Sequence, residues 1–176
     1  MTEQREPSAP HNIEPHSNVA KMFHWGFLAF FVFALSKQID EVEELEDLAL
    51  LEYEMIFATI FLIVVLIRLI YMQVTRPTAL PDATPIKMKR LARLVHLSMY
   101  FSLSMIAITG LAIGHLYGSG TKSGDTMDLV LILHELAVIT TYWLIFFHVS
   151  AAVYHRWKGD GIWNSMVPFL RETPKT

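Results

Sequence analysis

The stretch MDLVLILHELAVITTYWLIFFHVSAAVYHRW, residues 127–157, decides the fold. The hydrocarbon core of a bilayer is about 30 Å thick and takes about 20 helical residues, so this stretch is long enough to cross it. It holds three histidines, His134, His148 and His155, at spacings of 14 and 7 residues. Such spacings place the three side chains near one face of an α-helix. Because ionisable residues are rare in membrane helices and usually mark functional sites, the stripe predicts a binding centre inside a membrane bundle.

Three further apolar runs precede this stretch, at about 20–37, 48–74 and 91–117. The chain has 176 residues, of which 53% are hydrophobic, and it is too apolar for an ordinary soluble domain of this size. Together with the stretch at 127–157, the runs predict an all-α fold. We expect a transmembrane up-and-down four-helix bundle at residues 19–158.

The basic residues predict the orientation of this bundle. Of the 14 Lys and Arg residues, 12 fall on the side that holds both chain ends, and only Lys37 and Lys122 fall on the other. An excess of Lys and Arg marks cytoplasmic loops, so both termini are predicted to be cytoplasmic, in a bacterial inner membrane. Residues 1–18 are expected to form a disordered tail, about 75–90 a turn-rich loop, and 159–176 an interfacial segment.

The histidines point to haem iron as the binding centre. The chain has no cysteine, which excludes thiolate metal sites, iron–sulfur clusters and covalent haem attachment. A haem iron takes two axial ligands from opposite sides, and facing helices of a bundle can supply them. His24 opens the first span at the depth of His148 or His155, whereas His134 lies about 21 Å from His148 along the helix. We therefore expect His24 and His148 to bind a non-covalent haem, and His134 to need a partner near the other face.

Small and basic residues accompany these histidines. Gly26, residues 150–152 and the pair Gly110 and Gly114 are expected to leave room for the macrocycle between helices. A basic group at the end that holds the termini is a candidate to neutralise the haem propionates, and it serves equally well as a topology determinant. It comprises Lys89, Arg90, Arg93 and Arg156.

The sequence resembles the bacterial cytochrome b561 family of four-helix membrane cytochromes over roughly residues 20–170. The matching residues lie beside the histidines and at the ends of the spans. They are His24-Trp25, Arg68 with the following Arg76-Pro77-Thr78, His96-Leu97 with Tyr100, and His134-Glu135-Leu136-Ala137 followed by His148, His155 and Trp157-Lys158.

The resemblance implies a bundle with two b haems, one towards each membrane face, that exchanges electrons with quinone. It implies that His24 and His148 bind the cytoplasmic-side haem. It further implies that His134 and a histidine of the second span bind the periplasmic-side haem. Arg68, His96, Tyr100 and His155 become candidates for contacts with haem propionates or quinone.

The second span departs from this pattern because it contains no histidine. The matching position holds Glu54, and a carboxylate is a poor ligand for low-spin haem b iron. The alternatives are a lost outer haem, unusual ligation by Met55 or His115, or a Glu54–His134 site that handles protons or an ion pair. We favour loss or alteration of the outer haem.

The leading functional hypothesis is a membrane b-type cytochrome in electron transfer. One branch of the family oxidises superoxide at the outside face of the membrane and reduces ubiquinone, so the resemblance suggests a superoxide- or quinol-linked oxidoreductase. The altered outer level puts the superoxide route in doubt. One alternative is a haem-bearing anchor subunit of a larger redox complex, docked to a periplasmic or membrane partner through the acidic run at 40–47. Another is a haem-free transporter or channel with a histidine proton relay. Nothing in the sequence resembles a nucleic-acid-binding module.

Overall fold

Four long helices form the membrane-spanning part of the chain. The computed structural model describes residues 17–37, 42–75 and 84–171. Each of the four long helices has the length and composition to cross a membrane, which confirms the all-helical four-span prediction and an integral membrane protein. The helices are α1 (Asn18–Ser36), α2 (Leu48–Thr75), α3 (Ile86–Gly118), α4 (Asp125–Lys158) and the short α5 (Ile162–Met166), with a 3₁₀ helix at Val42–Glu46.

Side-chain caps and one glycine define several helix ends. The Ser17 hydroxyl accepts a hydrogen bond from the Ala20 N–H (3.1 Å) at the start of α1, and the Asp47 carboxylate accepts one from the Ala49 N–H (2.9 Å) at the start of α2. Gly159 ends α4 at φ 71°, a left-handed conformation that side chains disfavour. The predicted disordered tail lies outside the described residues except for its last two positions.

The third helix begins at Ile86, before the apolar run that starts at Leu91. Pro85 stands at its N-cap, and proline favours helix starts because its missing N–H would be unpaired there. The first turn of α3 is basic, so the apolar pattern alone does not reveal it. The turn-rich loop expected at 75–90 is therefore wrong from Ile86 onward, and residues 76–83 lie outside the described part of the chain.

Helix α3 is the central helix of the bundle and packs against both α2 and α4. We call the end of the bundle where α1 begins the terminal end, and the opposite end the loop end. Two buried apolar clusters fill the bundle. The cluster nearer the terminal end contains Phe31, Phe61, Val65, Leu103 and Ala107, and the cluster at the loop end contains Leu45, Leu51, Ile113, Tyr117 and Met127.

A buried polar bridge joins α3 and α4 between these ends. The Ser102 and Thr141 hydroxyl oxygens lie 2.6 Å apart, and the Thr141 hydroxyl donates to the Ala137 carbonyl at 2.9 Å. The Ser102 hydroxyl also lies 2.9 Å from the Ala137 carbonyl, and both acceptors are on α4, so Ser102 is the donor from α3 to α4 whichever of them it uses. Thr141 stands midway in sequence between His134 and His148, so the bridge separates two levels at which histidines lie.

Candidate functional site

Three histidines from three helices meet in the half of the bundle nearer the terminal end. The ring of His148 on α4 lies 6.3 Å from that of His24 on α1, measured between centroids. It also lies 5.3 Å from the ring of His96 on α3, in an edge-on arrangement. The structure thus brings together the predicted pair His24 and His148, and adds His96 to it.

Arg68 of α2 connects this cluster to the surrounding helices. Its Nη2 lies 2.6 Å from His24 Nδ1, and its Nε donates to the Tyr100 hydroxyl at 3.1 Å. Its Nη1 donates to the Phe23 carbonyl at 3.4 Å, and the guanidinium stands 5.1 Å from the ring centroid of Phe27. The arginine and tyrosine predicted from the sequence therefore belong to the same site as His24.

The hydrogen bonds of His24 and His96 assign different roles to their ring nitrogens. His96 Nδ1 donates to the Ala92 carbonyl at 2.7 Å, which leaves Nε2 as the nitrogen that can bind a metal. This is the usual arrangement of a metal-binding histidine. A guanidinium only donates, so His24 Nδ1 accepts from Arg68 and the proton of the neutral ring stands on Nε2. His24 can bind iron through Nε2 only after Arg68 releases Nδ1.

The spacing of the His24 and His148 rings fits a shared iron. Two imidazoles that bind one metal from opposite sides have centroids about 6 Å apart, since each bond is about 2 Å and the ring nitrogen lies about 1 Å from its centroid. The observed separation is 6.3 Å. Within residues 17–37, 42–75 and 84–171, no group of three or more His, Cys, Asp or Glu side chains can hold a metal ion. Two imidazoles, such as those of His24 and His148, are the number of axial ligands that a haem iron would take.

His134 lies at the other level, near the loop end, and faces α3. Its Nδ1 is 2.9 Å from the Thr109 hydroxyl, and a Cβ placed on Gly110 would stand 3.6 Å from its Cε1 atom. The hydroxyl of Thr109 itself donates to the Met105 carbonyl at 2.6 Å, so His134 Nδ1 is the donor in their contact. The structure therefore packs His134 directly against the backbone of α3.

The α2 residues at the loop-end level are a carboxylate and a thioether. The Oε1 atom of Glu54 is buried, with no hydrogen-bond partner among the described residues. The Met55 side chain packs on α3 so closely that a Cβ on Gly114 would lie 2.9 Å from its Cγ. His115, the other candidate partner for His134, is exposed. These residues do not fit a second haem held by two histidines.

The segment after α4 folds back beneath the terminal end. The Trp25 indole of α1 donates to the Met166 carbonyl at 3.2 Å, and Arg156 donates to the Leu170 carbonyl at 2.6 Å. His155 donates from Nδ1 to the Asp160 carboxylate at 2.7 Å. His155 lies about 10 Å along α4 from His148. It is hydrogen-bonded to an acidic residue just after the end of the helix.

Two of the small residues near the candidate haem-binding histidines line grooves on the outside of the bundle. Gly26 has no atom within 4 Å of an added Cβ and lines an outward-facing groove between α1 and α2. Ser150 lines a second groove, on the outward face of α4. Sequence reasoning also missed Thr109 and Asp160, the partners of two histidines. The only sequence signal for Thr109 is a polar residue inside an apolar run, next to Gly110.

One comparison with known proteins identifies the family of this chain. The family model described as prokaryotic cytochrome b561 matches residues 15–169, which is most of the chain. No curated protein and no solved structure shows significant similarity to this chain. The match covers all four spans and the histidines of both levels. The chain therefore belongs to the prokaryotic cytochrome b561 family, the membrane b-type cytochromes of electron transfer.

Proposed function

We propose that this cytochrome carries one haem b, bound by His24 and His148 in the terminal half, and exchanges electrons with quinone. We place it in a bacterial inner membrane with both termini cytoplasmic, because 12 of its 14 basic residues are on that side. The observation that carries the proposal is the 6.3 Å spacing of the two rings, which suits two axial ligands of one iron. Bound there, haem b would supply a one-electron couple.

The second haem of the family pattern has poor support in this chain. His134 is hydrogen-bonded to Thr109, and Glu54 stands where the resemblance calls for a histidine. Met55, the other candidate on α2, is packed against Gly114 of α3. A haem at this level would have to displace those contacts and take an unusual ligand. We therefore propose that the outer haem is lost or altered, which also argues against superoxide oxidation at the outer face.

The residues around His24 and His148 suit a site where electrons enter or leave. Arg68 and Tyr100 present N–H and O–H groups that can hydrogen-bond a propionate or a quinone carbonyl. His155 and Asp160 form a hydrogen-bonded pair near the terminal end, where protons exchange readily with water. In this proposal Arg68 and Tyr100 orient the cofactor and His155 accepts or supplies a proton.

Haem stoichiometry of the purified protein tests the ligand assignment. The pyridine haemochrome of the wild type should give one haem per chain. This haem should be lost in His24→Ala and in His148→Ala, and it should be retained in His134→Ala. His115→Ala, at an exposed position near the loop end, is the matched control. Two haems per chain, one of them lost in His134→Ala, would overturn the proposal.

His96 needs a separate comparison because its geometry also suits a metal ligand. If His96→Ala loses the haem and His24→Ala keeps it, the ligand pair is His96 and His148 instead. We expect the reverse, with His96→Ala retaining haem and a shifted spectrum. Membership of a cytochrome family argues against the haem-free transporter.

The anchor-subunit alternative differs from the electron-carrier proposal in needing a partner. Part of the acidic run proposed to dock that partner is a 3₁₀ helix at the loop end, while residues 40–41 lie outside the described part of the chain. Reduction of the purified protein by a quinol alone supports the carrier. Reduction that requires a co-purifying subunit supports the anchor.

A further inference from the structure

The chain after α4 turns back onto α1 beside His24. We call this part of the chain, residues 159–170, the return segment. The Trp25 indole, one residue after His24, donates to the Met166 carbonyl at 3.2 Å. The Trp25 ring also lies 4.8 Å from the Phe169 ring, measured between centroids. The return segment thus contacts Trp25 through a hydrogen bond and through a ring.

A second hydrogen bond lies on the other side of His24. The Lys21 ammonium, three residues before His24, donates to the Asn164 carbonyl at 3.4 Å. Lys21 and Trp25 are four residues apart, so they lie on one face of α1. Together they attach the turn of α1 that carries His24 to the return segment.

The return segment is itself fixed to the end of α4. The Leu170 carbonyl accepts hydrogen bonds from Arg156 Nη1 at 2.6 Å and from Trp163 Nε1 at 3.1 Å. Leu170 has φ 52°, a left-handed conformation that a leucine keeps only where its surroundings enforce it. Because Arg156 belongs to α4, the return segment links the helix that carries His148 to the helix that carries His24.

Nearer the loop end, α1 packs on α2 through aromatic rings. The rings of Phe27 and Phe30 lie 5.7 and 5.8 Å from that of Phe61, measured between centroids. Apolar contact is non-directional, so these rings hold α1 on α2 without closely fixing its depth or rotation. Arg68 donates hydrogen bonds to α1, but from α2 and not from the helix that carries His148. The directional contacts between α1 and the end of α4 therefore include those of the return segment.

We propose that the return segment positions His24 for haem binding, with Trp25 as the positioning residue. The inference rests on the proposed function, since it assumes that His24 and His148 are the axial ligands. By holding α1 at one depth and rotation relative to α4, the return segment keeps His24 opposite His148. Loosening this attachment increases the fraction of chains in which His24 has left the iron, although both histidines are still present.

Carbon monoxide binding to the ferrous haem tests the proposal. Carbon monoxide binds the iron only where an axial ligand has left, so its rate of binding follows the population of that open state. The net loss of one hydrogen bond shifts an equilibrium by about fivefold, so Trp25→Leu should bind carbon monoxide at least about fivefold faster than the wild type. The matched control is Trp143→Leu, which should bind at the wild-type rate. Trp143 also contacts a phenylalanine ring, that of Phe147, but it is 58% exposed on α4.

A cross-link tests whether Trp25 acts through the return segment. The chain has no cysteine, so Lys21→Cys and Asn164→Cys give it two thiols, one on α1 and one on the return segment. In the Trp25→Leu background, a short bismaleimide that joins these thiols should return carbon monoxide binding towards the wild-type rate. The same protein before cross-linking should bind fast. Damage to local packing that is unrelated to the return segment would not be repaired in this way.

The outcomes separate this inference from the proposed function. A wild-type rate in Trp25→Leu, an equal acceleration in Trp143→Leu, or a cross-link that restores nothing would each overturn the positioning role. Haem that is retained in His24→Ala would instead overturn the ligand assignment on which the inference rests. If Trp25→Leu binds too little haem to assay, Trp25→Phe, which removes the indole N–H and keeps a ring against Phe169, decides the same question.

Discussion

Replacing Arg68 by methionine is expected to lower the midpoint potential of the bound haem by about 100 mV. The reduced iron carries one positive charge fewer than the oxidised iron, so a nearby cation stabilises the reduced state. Arg68 is such a cation, held near His24 by contacts with the Tyr100 hydroxyl and the Phe23 carbonyl. Methionine keeps much of the side-chain volume and removes the charge.

The size of the shift follows from distances in the cluster. The midpoint between the His24 and His148 rings lies half of their 6.3 Å separation from each ring. The 2.6 Å contact from Arg68 to His24 places the guanidinium about 7 Å from that midpoint, and the bonds of Arg68 to the Tyr100 hydroxyl and the Phe23 carbonyl keep it near that distance once His24 Nδ1 is released. At an effective dielectric constant of about 20, unit charges at that distance interact by about 2 kcal/mol. For a one-electron couple this energy corresponds to about 100 mV.

Spectroelectrochemical titration of the haem band measures this shift directly. Arg68→Lys keeps the positive charge, but an ammonium group lacks the planar guanidinium that contacts two partners at once. The midpoint potential should therefore fall less than in Arg68→Met. Tyr100→Phe removes a hydrogen-bond partner of Arg68 without changing the charge and should move the potential least. A midpoint in Arg68→Met within about 20 mV of the wild type would refute the placement of Arg68 beside the iron.

Three further changes test the packing and the surface electrostatics. Ser102→Ala removes the buried hydroxyl that donates from α3 to α4, and it should lower the free energy of unfolding in detergent by about 1 kcal/mol. Ser104→Ala is the control and should lower it less. Gly114→Ala pushes against Met55 Cγ and should be about 1–2 kcal/mol less stable than Gly26→Ala, which meets open space, when both are unfolded in detergent. The hydrogen bond that Lys122 donates to the Glu46 carboxylate raises the pKa of Lys122, so Glu46→Gln should lower that pKa in an NMR titration. Because this pKa is raised, any stabilisation from the pair is present at neutral pH and is lost as pH rises through the folded-state value.

The sequence was sufficient for the four helices and for the depth of their histidines. In lipid the backbone polar groups of a long apolar run must be satisfied within the run, which a helix does, and the rise per residue then places His24 level with His148 or His155. The start of α3 was not predictable in this way, because its first turn is basic and carries no apolar signal. The Pro85 that precedes it is the local feature that marks the start.

The rotation of each helix about its axis was much less predictable. The distance in sequence between Gly26 and His24 does not say which of them faces the bundle, and only the packing of α1 on α2 turns Gly26 outward. The same holds for His96, whose approach to His148 depends on how α3 packs against α4. Arg68 could be placed near the end of its span. Its contact with His24 depends on a long side chain reaching across to α1.

The proposed loss of the outer haem has a consequence for how this cytochrome can work. With two haems, one near each face, electrons can enter at one side of the membrane and leave at the other. Here His134 is turned onto Thr109, and the buried Ser102–Thr141 bridge fills the bundle between that level and His148. An electron carrier with one haem at the terminal level must receive and deliver electrons at that level. The Arg68–Tyr100 contact and the His155–Asp160 pair lie in that same half of the bundle, which is where the proposed carrier needs its quinone contact and its proton exchange.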